Sequence, residues 1–455
     1  MTLADLLLAT GGQCLRADPG LIFSDVATDS RKIATGALFV ALQGESYDGH
    51  SFVAQAFEAG AAGALVARAV VVPDGFPLIR VADTQLALGR LAQWHRAKFD
   101  LPVVAVTGSV GKTTTKVLID CVLRAQRNVL TAPASFNNEV GVPLTLLKLD
   151  ASHEVAVLEL AMRGRGQLAY LAELARPRLG VITNLGESHL ELLGSREAIA
   201  DAKAELLEAL PSDGYAVLNR DDRFFDRLCA RAHCPVTTFG LSELADVRAT
   251  DLVQREGAMH FVVHHGGETS TALLPAPGEH NVRNALAAVA VGRLLGLSLT
   301  DCVAGLRDFM PPAHRLRVFA SPRGVTVIDD CYNASPDSVA AALQVMGSEP
   351  LAGRRVFVFG DMKELGDRSE AAHREVGALA VAAGVAWIVT VGDLAQLAAR
   401  EAQRVAPGRI ATTFCDTPVE ALAAVRAELG PGDLVLVKAS RAMKLESVVD
   451  GLLAE

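Results

Sequence analysis

The chain has 455 residues, of which 50% are hydrophobic and 21% are charged, and its 43 basic and 52 acidic side chains give a formal net charge of −9. This apolar content argues against a disordered chain, and the length predicts about three domains. The acidic balance argues against a protein that coats nucleic acid, which would be basic overall. It does not exclude a local site for an anion.

Cysteine spacing and hydropathy predict a cytoplasmic protein. The seven cysteines are irregularly spaced without a C-x-x-C pair, which is typical of reduced thiols rather than of a disulfide framework or a zinc ribbon. The N-terminus lacks the basic region of a signal peptide. The longest uncharged stretch, 376–392, is divided by Gly384 and predicts a helix followed by a strand. We expect a soluble monomer that binds neither membrane nor nucleic acid.

Residues 1–100 predict a small α/β domain. The boundary is placed by Asp100-Leu101-Pro102, because the residue before a proline is biased away from helix. Apolar spacing predicts a strand at 36–42, a helix and a strand within 51–67, a strand at 77–81 and a helix at 84–99.

Residues 101–312 predict a central domain that ends at Pro311-Pro312. Its near-continuous apolar strands, separated by helices, are typical of a parallel sheet covered on both faces. Residues 246–275 alternate as antiparallel strands do, and a long helix is predicted at 280–296. The apolar strands are predicted at 103–107, 154–160, 179–184 and 215–219.

Residues 313–455 predict a second doubly wound α/β domain. Apolar runs again alternate with helical segments. The strands are predicted at 325–329, 355–360, 386–391, 410–414 and 434–439.

A glycine-rich loop between the first strand and first helix of the central domain is the strongest local signal. Its glycines allow backbone N–H groups to wrap a phosphate, and the helix N-terminus adds a positive dipole end. Lys112 would reach the β- and γ-phosphates, and Thr113 could hold Mg²⁺. Its two glycines are closer together than the general pattern requires, so the alternative is a turn with an incidental lysine. The loop comprises Thr107, Gly108, Ser109, Val110, Gly111, Lys112, Thr113 and Thr114.

Two polar residues follow neighbouring strands at one expected sheet edge. Glu159 ends an apolar strand, where a carboxylate is costly unless it is paired or metal-bound, and His189 lies in the loop after the next strand. Together they could serve a cation. The alternatives are an ion pair from Glu159 to Arg163 or Arg165, and a structural histidine.

Lys203 lies on the apolar face of a predicted helix, four residues after Ile199 and three before Leu206. A buried lysine can have a lowered pKa and become nucleophilic. The alternative is a side chain that snorkels along the apolar stripe to solvent.

Polar side chains also cluster after strands in the last third of the chain. Any one of them is more often structural than functional, but their common sheet edge predicts a second ligand-facing surface. These residues are Asp329, Asp330, Asp361, Lys438, Ser440 and Arg441, with Arg315 just after the Pro-Pro boundary.

Several stretches resemble the Mur ligases in order and spacing. They are "TGSVGKTTTK" (107–116), "NNEVGVPLTLL" (137–147), "ELAMRGRGQL" (159–168), "TNLGESHLELLGS" (183–195), "IADAKAEL" (199–206), "HNVRNALAA" (280–288) and "HRLRV" (314–318). "DSRKIATGALFVALQGESYDGHSF" (29–52) resembles the uridine-binding domain of this family. "DDCYNASPDS" (329–338) and "FGDMKELGD" (359–367) resemble the branch that adds D-alanyl-D-alanine. Ala161 departs from the pattern, which has a glycine there.

The resemblance implies a three-domain α/β architecture: a small N-terminal α/β domain that binds a UDP-substrate, a central P-loop ATPase domain with a parallel sheet, and a C-terminal Rossmann-like domain. It implies that the loop at 107–114 holds the ATP phosphates, that Asn284 contacts adenine, and that Arg315 and Asp330 reach ATP. It also implies that Thr113, Glu159 and His189 support Mg²⁺, together with Lys203 in its carbamylated form.

The same resemblance implies the other substrate contacts. Ser30 and Arg31 would lie near the uridine diphosphate, Asn137 or Asn138 near the muramoyl group, and Asn333 near the dipeptide. The implied reaction is ATP-dependent addition of D-Ala-D-Ala to UDP-MurNAc-tripeptide through an acyl phosphate. The alternatives are another ligase of the Mur or folylpolyglutamate synthase type, a P-loop ATPase without ligase activity, and an inactive nucleotide-binding protein.

Overall fold

The computed structural model describes residues 1–14, 20–44, 47–187 and 190–454. They form two compact units. The first comprises Met1–Ala105, Arg127–Met162 and Gln167–Arg178, and the second comprises Val106–Gln126, Arg163–Gly166 and Leu179–Glu455. The three sequence-derived domains, with boundaries near 100 and 312, stay a prediction.

The α-helices in the described residues are α1 Leu3–Thr10, α2 Val53–Glu58, α3 Thr84–Arg96, α4 Lys112–Arg124, α5 Gly141–Leu146, α6 Gln167–Ala175, α7 Leu190–Leu193, α8 Arg196–Glu208, α9 Phe225–Cys229, α10 Glu279–Leu294, α11 Leu299–Gly305, α12 Pro336–Ser348, α13 Ser369–Ala382, α14 Ala395–Val405, α15 Pro418–Glu428 and α16 Glu446–Leu453. Six of the α-helices, α1, α3, α8, α11, α12 and α15, begin after an extended residue whose side chain is Thr, Asp or Ser.

The strands are short and mostly buried. They are β1 Gln13–Cys14, β2 Val26–Ala27, β3 Leu38–Val40, β4 Gly63–Val66, β5 Leu78–Arg80, β6 Val103–Thr107, β7 Val129–Thr131, β8 Val155–Glu159, β9 Leu179–Ile182, β10 Tyr215–Asn219, β11 Val236–Gly240, β12 Val247–Arg255, β13 Ala258–His265, β14 Glu268–Leu274, β15 Arg317–Ala320, β16 Thr326–Asp329, β17 Arg355–Gly360, β18 Val385–Val391, β19 Ala411–Cys415 and β20 Leu434–Lys438.

The first unit contains a five-stranded sheet in the order β1-β5-β4-β3-β2, in which only the β1–β5 pair is antiparallel. Alternate residues of a strand face opposite sides of a sheet. Accordingly, Leu38 and Val40 pack in one core with the leucines of α1 and α3, whereas Phe39 packs in another with Val53 of α2. The parallel pair β7–β8 belongs to the same unit.

The second unit begins its sheet with β9, β10 and β11 in parallel, followed by β12 parallel to β11 and by the antiparallel meander β12–β13–β14. Helix α10 is buried along most of its length. The predicted antiparallel segment at 246–275 is therefore confirmed, and it continues the parallel sheet.

The C-terminal part of the second unit is a six-stranded sheet in the order β15-β16-β20-β17-β18-β19. All its pairs are parallel except β15–β16. Residues on one face, such as Phe357, pack with α12, α13 and α14, and those on the other, such as Val358, pack with α15 and α16. This confirms the predicted doubly wound α/β unit.

Three further observations concern the described residues. Their helices include none whose length and apolar character would suit a bilayer crossing. The uncharged stretch at 376–392 is the end of α13 followed by β18, as predicted. All seven cysteines lie in the described ranges and are free thiols.

The core of the C-terminal sheet yields a stability prediction. Phe357 is fully buried, whereas Phe414 on the same sheet is 47% exposed. Phe357→Ala should lower the free energy of unfolding of this region by about 3–5 kcal/mol, because it removes buried apolar contacts and leaves a cavity. Phe414→Ala, the matched control, should change it by less than about 0.5 kcal/mol.

The measurement is urea unfolding followed by Trp387 fluorescence in a Trp94→Phe background, so that the signal comes from this sheet alone. Equal shifts for the two phenylalanine variants would contradict the packing described here.

Candidate active site

A cleft in the second unit collects most of the predicted nucleotide-binding residues. It encloses about 860 Å³, including the solvent at its mouth. Its walls are the N-terminus of α4, the N-terminal half of α10 and the segments that follow Pro311 and β16. The predicted residues that line it are Ser109, Val110, Gly111, Lys112, Thr113, Thr114, Asn284, Arg315, Asp330 and Asn333. We call it the α4 cleft.

The loop before α4 requires both of its glycines. Gly108 has φ +147°, and a Cβ at that position would lie 1.9 Å from Thr183 Oγ1. Gly111 has φ +85°, and its Cβ would lie 2.6 Å from Asn284 Oδ1. These backbone angles and close approaches suit glycine alone.

Residues after β9 hold this loop in place. The N–H groups of Ser109 and Val110 donate to Asn184, to its carbonyl oxygen and to Oδ1, each at 2.9 Å. Thr183 Oγ1 donates to Val110 O at 2.6 Å. Sequence reasoning did not identify this role, although a Thr-Asn pair directly after a strand was a visible signal. Because two loop N–H groups point at Asn184, the anion-binding groups are concentrated at the first turn of α4, whose N-cap Gly111 has no side chain.

Two lysine side chains converge on one carbonyl oxygen of the loop. Lys112 Nζ donates to Gly108 O at 2.8 Å, and Lys203 Nζ donates to the same oxygen at 3.1 Å. Lys203 is only 1% exposed on α8, so the snorkelling alternative is wrong and the predicted burial is confirmed. Burial and, secondarily, the Lys112 cation hold the pKa of Lys203 well below its usual value.

Two buried oxygens have the character of Mg²⁺ ligands. Thr113 Oγ1 in the second unit and Glu159 Oε2 in the first are both buried, and neither has a hydrogen-bond partner among the described residues. The other oxygen of Glu159 accepts from Asn137 Nδ2 at 2.7 Å. An unpaired buried oxygen is costly, and hydroxyl and carboxylate oxygens are the hard ligands that Mg²⁺ prefers. The residues present therefore fit the ion.

The C-terminal wall of the α4 cleft is built on a buried ion pair. Lys438 Nζ contacts Asp330 Oδ2 and donates to Asn333 O at 3.1 Å. Leu316 N donates to Asp330 Oδ1 at 3.1 Å, which ties the segment after Pro312 to the end of β16. The Arg315 guanidinium lies over the Tyr332 ring, 4.3 Å from its centroid.

His280 is a further residue of the α4 cleft that the sequence did not single out. Burial, with the nearby cations of Lys438 and Arg283, lowers its pKa to about 4, so the imidazole is neutral at physiological pH. A neutral ring at the N-terminus of α10 can accept or donate a hydrogen bond without adding a charge.

The other polar residues after C-terminal strands have structural partners. Asp361 accepts from Ala395 N at 2.9 Å and pairs with Lys363 at 2.8 Å. Ser440 Oγ accepts from Lys363 N. Arg441 pairs with Glu446 at 3.3 Å.

Glu187 connects the central and C-terminal parts of the second unit. This buried carboxylate contacts Arg196 of α8 and Arg368, the latter at 3.3 Å. The backbone N–H of Glu187 donates to Asp337 Oδ2 at 3.3 Å. Sequence reasoning did not predict this cluster, because its members are distant in the chain.

The first unit holds four of the five predicted substrate residues, all except Asn333. Ser30 Oγ donates to Gln55 Oε1 at 3.0 Å, and the exposed Arg31 side chain pairs with Asp29 at 2.9 Å. Asn138 Oδ1 accepts from Gly141 N at 2.9 Å and so helps to start α5. His189 lies outside the described residues.

Three family descriptions match the sequence: "Mur ligase family, catalytic domain" at residues 23–96, "Mur ligase middle domain" at 106–292 and "Mur ligase, glutamate ligase domain" at 314–441. The chain is 39% identical to the UDP-N-acetylmuramoyl-tripeptide–D-alanyl-D-alanine ligase of Bacillus subtilis, over 95% of this chain and 93% of that protein. The chain belongs to the Mur ligase family.

Solved structures agree with this assignment. A crystal structure of MurF from Acinetobacter baumannii superposes with a TM-score of 0.90 at 34% identity, covering 100% of this chain and 99% of that one. MurF of Thermotoga maritima, solved in complex with ADP, superposes with a TM-score of 0.82 at 29% identity, covering 95% of this chain and 97% of that one. The α/β fold with N-terminal, middle and C-terminal Mur ligase domains is thereby confirmed, and the chain is an enzyme of this ATP-dependent ligase family.

The depressed pKa of Lys203 gives this Mur ligase a predictable pH dependence. A base whose folded pKa lies below its unfolded pKa costs stability when it is protonated. As pH falls from about 10 towards the folded pKa, the wild type should lose stability relative to Lys203→Met by up to about 1.4 kcal/mol per pH unit.

The measurement is denaturant unfolding of both proteins between pH 7 and 10 in CO₂-free buffer. Lys444→Met, which replaces an exposed lysine, is the control and should differ from the wild type by a constant amount. A constant difference for Lys203→Met as well would show that Lys203 is charged in the folded protein.

Proposed function

We propose that this Mur ligase adds D-alanyl-D-alanine to UDP-MurNAc-tripeptide in the cytoplasm, giving UDP-MurNAc-pentapeptide, ADP and phosphate for peptidoglycan synthesis. The observation that carries the proposal is the α4 cleft, where the phosphate loop meets Asp330 and Asn333 from the segment typical of the D-alanyl-D-alanine-adding branch. The near full-length similarity to ligases of that name supports it.

ATP would bind in the α4 cleft. The first-turn N–H groups of α4 and the Lys112 ammonium would hold its phosphates, because helix dipole and cation both favour anions there. Lys112 Nζ donates to the carbonyl oxygens of Gly108 and Ser109, from which it would turn to the nucleotide. Asn284 would contact adenine, and Arg315 and Asp330 would reach the nucleotide from the C-terminal wall.

Mg²⁺, when bound, would offset the negative charge of the phosphates and of the attacking carboxylate. Thr113 and Glu159 would hold it through their unpaired oxygens, with His189 as a further ligand.

Lys203 would support this site as a carbamate. Burial lowers the pKa of its amine, which favours the neutral form whose lone pair can attack CO₂; a C–N bond forms, the nitrogen loses a proton, and the side chain ends in a carboxylate-like group. Carbamylation would convert an amine, which is a poor ligand for Mg²⁺, into an anionic group beside the phosphate loop.

The ligation would proceed in two steps. The terminal carboxylate of the tripeptide attacks the γ-phosphorus and displaces ADP, which gives an acyl phosphate. The amine of D-Ala-D-Ala then attacks the acyl carbon, loses a proton and displaces phosphate. Lys112 would offset the charge that develops on the transferred group.

The acyl phosphate must be kept from water, which favours closure of the C-terminal domain over the central one. We place the domain boundaries near 100 and 312, with the hinge at Pro311-Pro312. The contacts of Glu187 with Arg368 and Asp337 would hold the closed arrangement.

The remaining substrate contacts would come from residues outside the phosphate loop. Ser30 and Arg31 would lie near the uridine diphosphate, and Asn137 or Asn138 would face the muramoyl group. Asn333 would lie near the dipeptide. The enzyme would act as a monomer.

The test is a phosphate-release assay with ATP and each co-substrate alone and together, using UDP-MurNAc-tripeptides that carry diaminopimelate or lysine as third residue. We expect little hydrolysis until tripeptide and D-Ala-D-Ala are both present, because the carboxylate is the phosphoryl acceptor. ATP turnover that ignores both would indicate a P-loop ATPase without ligation. The Lys112→Ala variant should fold and lose turnover, which controls for contaminating activity.

The carbamate proposal has its own test. Lys203→Ala should lose ligation activity, and added acetate should restore part of it by placing a carboxylate in the space of the carbamate. Acetate should not raise the activity of the wild type or of Lys112→Ala. A fully active Lys203→Ala, or an inactive one that acetate leaves unchanged, would count against carbamylation.

A further inference from the structure

Three side chains with nitrogen, oxygen and sulfur donors meet at the edge of the C-terminal sheet. Asp329 is the last residue of β16, Cys331 follows two residues later, and His314 precedes β15. The antiparallel pairing of β15 with β16 places Arg317 opposite Asp329, which brings the segment before β15 to the end of β16. We call these three residues the His-Asp-Cys cluster.

The donor atoms lie at nearly the separations that a metal ion imposes. His314 Nδ1 is 2.9 Å from Asp329 Oδ2, Cys331 Sγ is 3.1 Å from Asp329 Oδ1, and Sγ is 3.6 Å from Nδ1. Around a tetrahedral Zn²⁺ with bonds of about 2.0–2.3 Å, two ligand atoms are about 3.3–3.6 Å apart. The sulfur and nitrogen already have this spacing, and each of them is close to a different oxygen of the Asp329 carboxylate.

The cluster is separate from the α4 cleft, because none of its three residues lines that cleft. Asp329 and Cys331 are buried, whereas the His314 side chain is 27% exposed. The site is therefore dry on one side and open on the other, so that an ion can enter and keep water as a fourth ligand.

We propose that His314, Asp329 and Cys331 bind a divalent cation of the zinc class. Imidazole, carboxylate and thiolate together suit Zn²⁺ or Co²⁺, whereas Mg²⁺ prefers oxygen ligands alone. In the metal-free cluster the thiol donates to Asp329, and on binding it gives its proton to solvent as the sulfur–metal bond forms. The His314 imidazole binds through the Nδ1 lone pair.

The bound ion would stabilise the residues that shape one wall of the α4 cleft. Arg315 lies between His314 and Leu316, which have φ values of +60° and +52°. Residues other than glycine seldom adopt this left-handed backbone conformation. Tyr332 N donates to His314 O at 3.1 Å, so this segment already contacts the chain beyond β16. A metal ion bound by His314, Asp329 and Cys331 would link the same two segments by a further contact.

The test is binding of Zn²⁺ and Co²⁺ to the full chain, by titration calorimetry and by absorption of the cobalt complex. We expect one tight site whose cobalt spectrum shows a thiolate charge-transfer band. Cys331→Ser and His314→Gln should each weaken binding by about tenfold or more, since loss even of an outer-shell partner of a metal ligand costs that much. His314→Gln changes a partly exposed side chain, so it tests the site if Cys331→Ser does not fold.

Cys234→Ser is the control, since it removes a partly buried cysteine of the second unit that lies outside the His-Asp-Cys cluster, and it should leave the affinity unchanged. Excess Mg²⁺ should not displace the cobalt. The proposal is overturned if the thiolate band is absent, if Cys331→Ser and His314→Gln bind Zn²⁺ as tightly as the wild type, or if Mg²⁺ competes. These readouts do not depend on ligation activity.

Discussion

The chemistry of this Mur ligase depends on one carbonyl oxygen that two lysines share. Gly108 O accepts from Lys112 and from Lys203, and the second of these side chains is almost completely removed from water. Two ammonium groups in one water-poor place would repel each other, and this repulsion adds to the cost of burying a charge. Burial and the Lys112 cation accordingly hold the pKa of Lys203 well below its usual value. The carbonyl thus joins one fully buried amine, that of Lys203, and one partly buried amine, that of Lys112.

The sharing of this carbonyl oxygen by two lysines requires the loop to be rigid. The carbonyl of Gly108 keeps its direction because Thr183 fills the space where a side chain would be, and Asn184 binds the two N–H groups that follow. The position of the first turn of α4 and the lowered pKa of Lys203 therefore depend on the same backbone conformation. A substitution at Thr183 would therefore affect the first turn of α4 and the pKa of Lys203 together. Thr183 was not among the site residues predicted from the sequence.

The sequence predicted elements whose character is local and left out contacts that depend on the tertiary fold. Strands β6, β10 and β17 begin and end where their apolar runs do, and the helical phase of Lys203 correctly placed it on the apolar face of α8, where its side chain is buried. Strand β15 was not predicted, because its four residues alternate at a sheet edge and follow two prolines. The ion pair of Lys438 with Asp330 joins residues more than a hundred positions apart in the chain. Helix and strand periodicity relates only residues within one element, so it could not predict this contact.

The side chains that line the α4 cleft have a charge of opposite sign to the net charge of the chain. Three lining side chains, those of Lys112, Arg315 and Lys438, are cationic, and one, that of Asp330, is an anion. His280 stays neutral among them, because burial and the nearby cations oppose its protonation. The cleft therefore has a positive field inside a chain whose formal charge is −9, and low-dielectric walls concentrate such a field at the position of a polyphosphate.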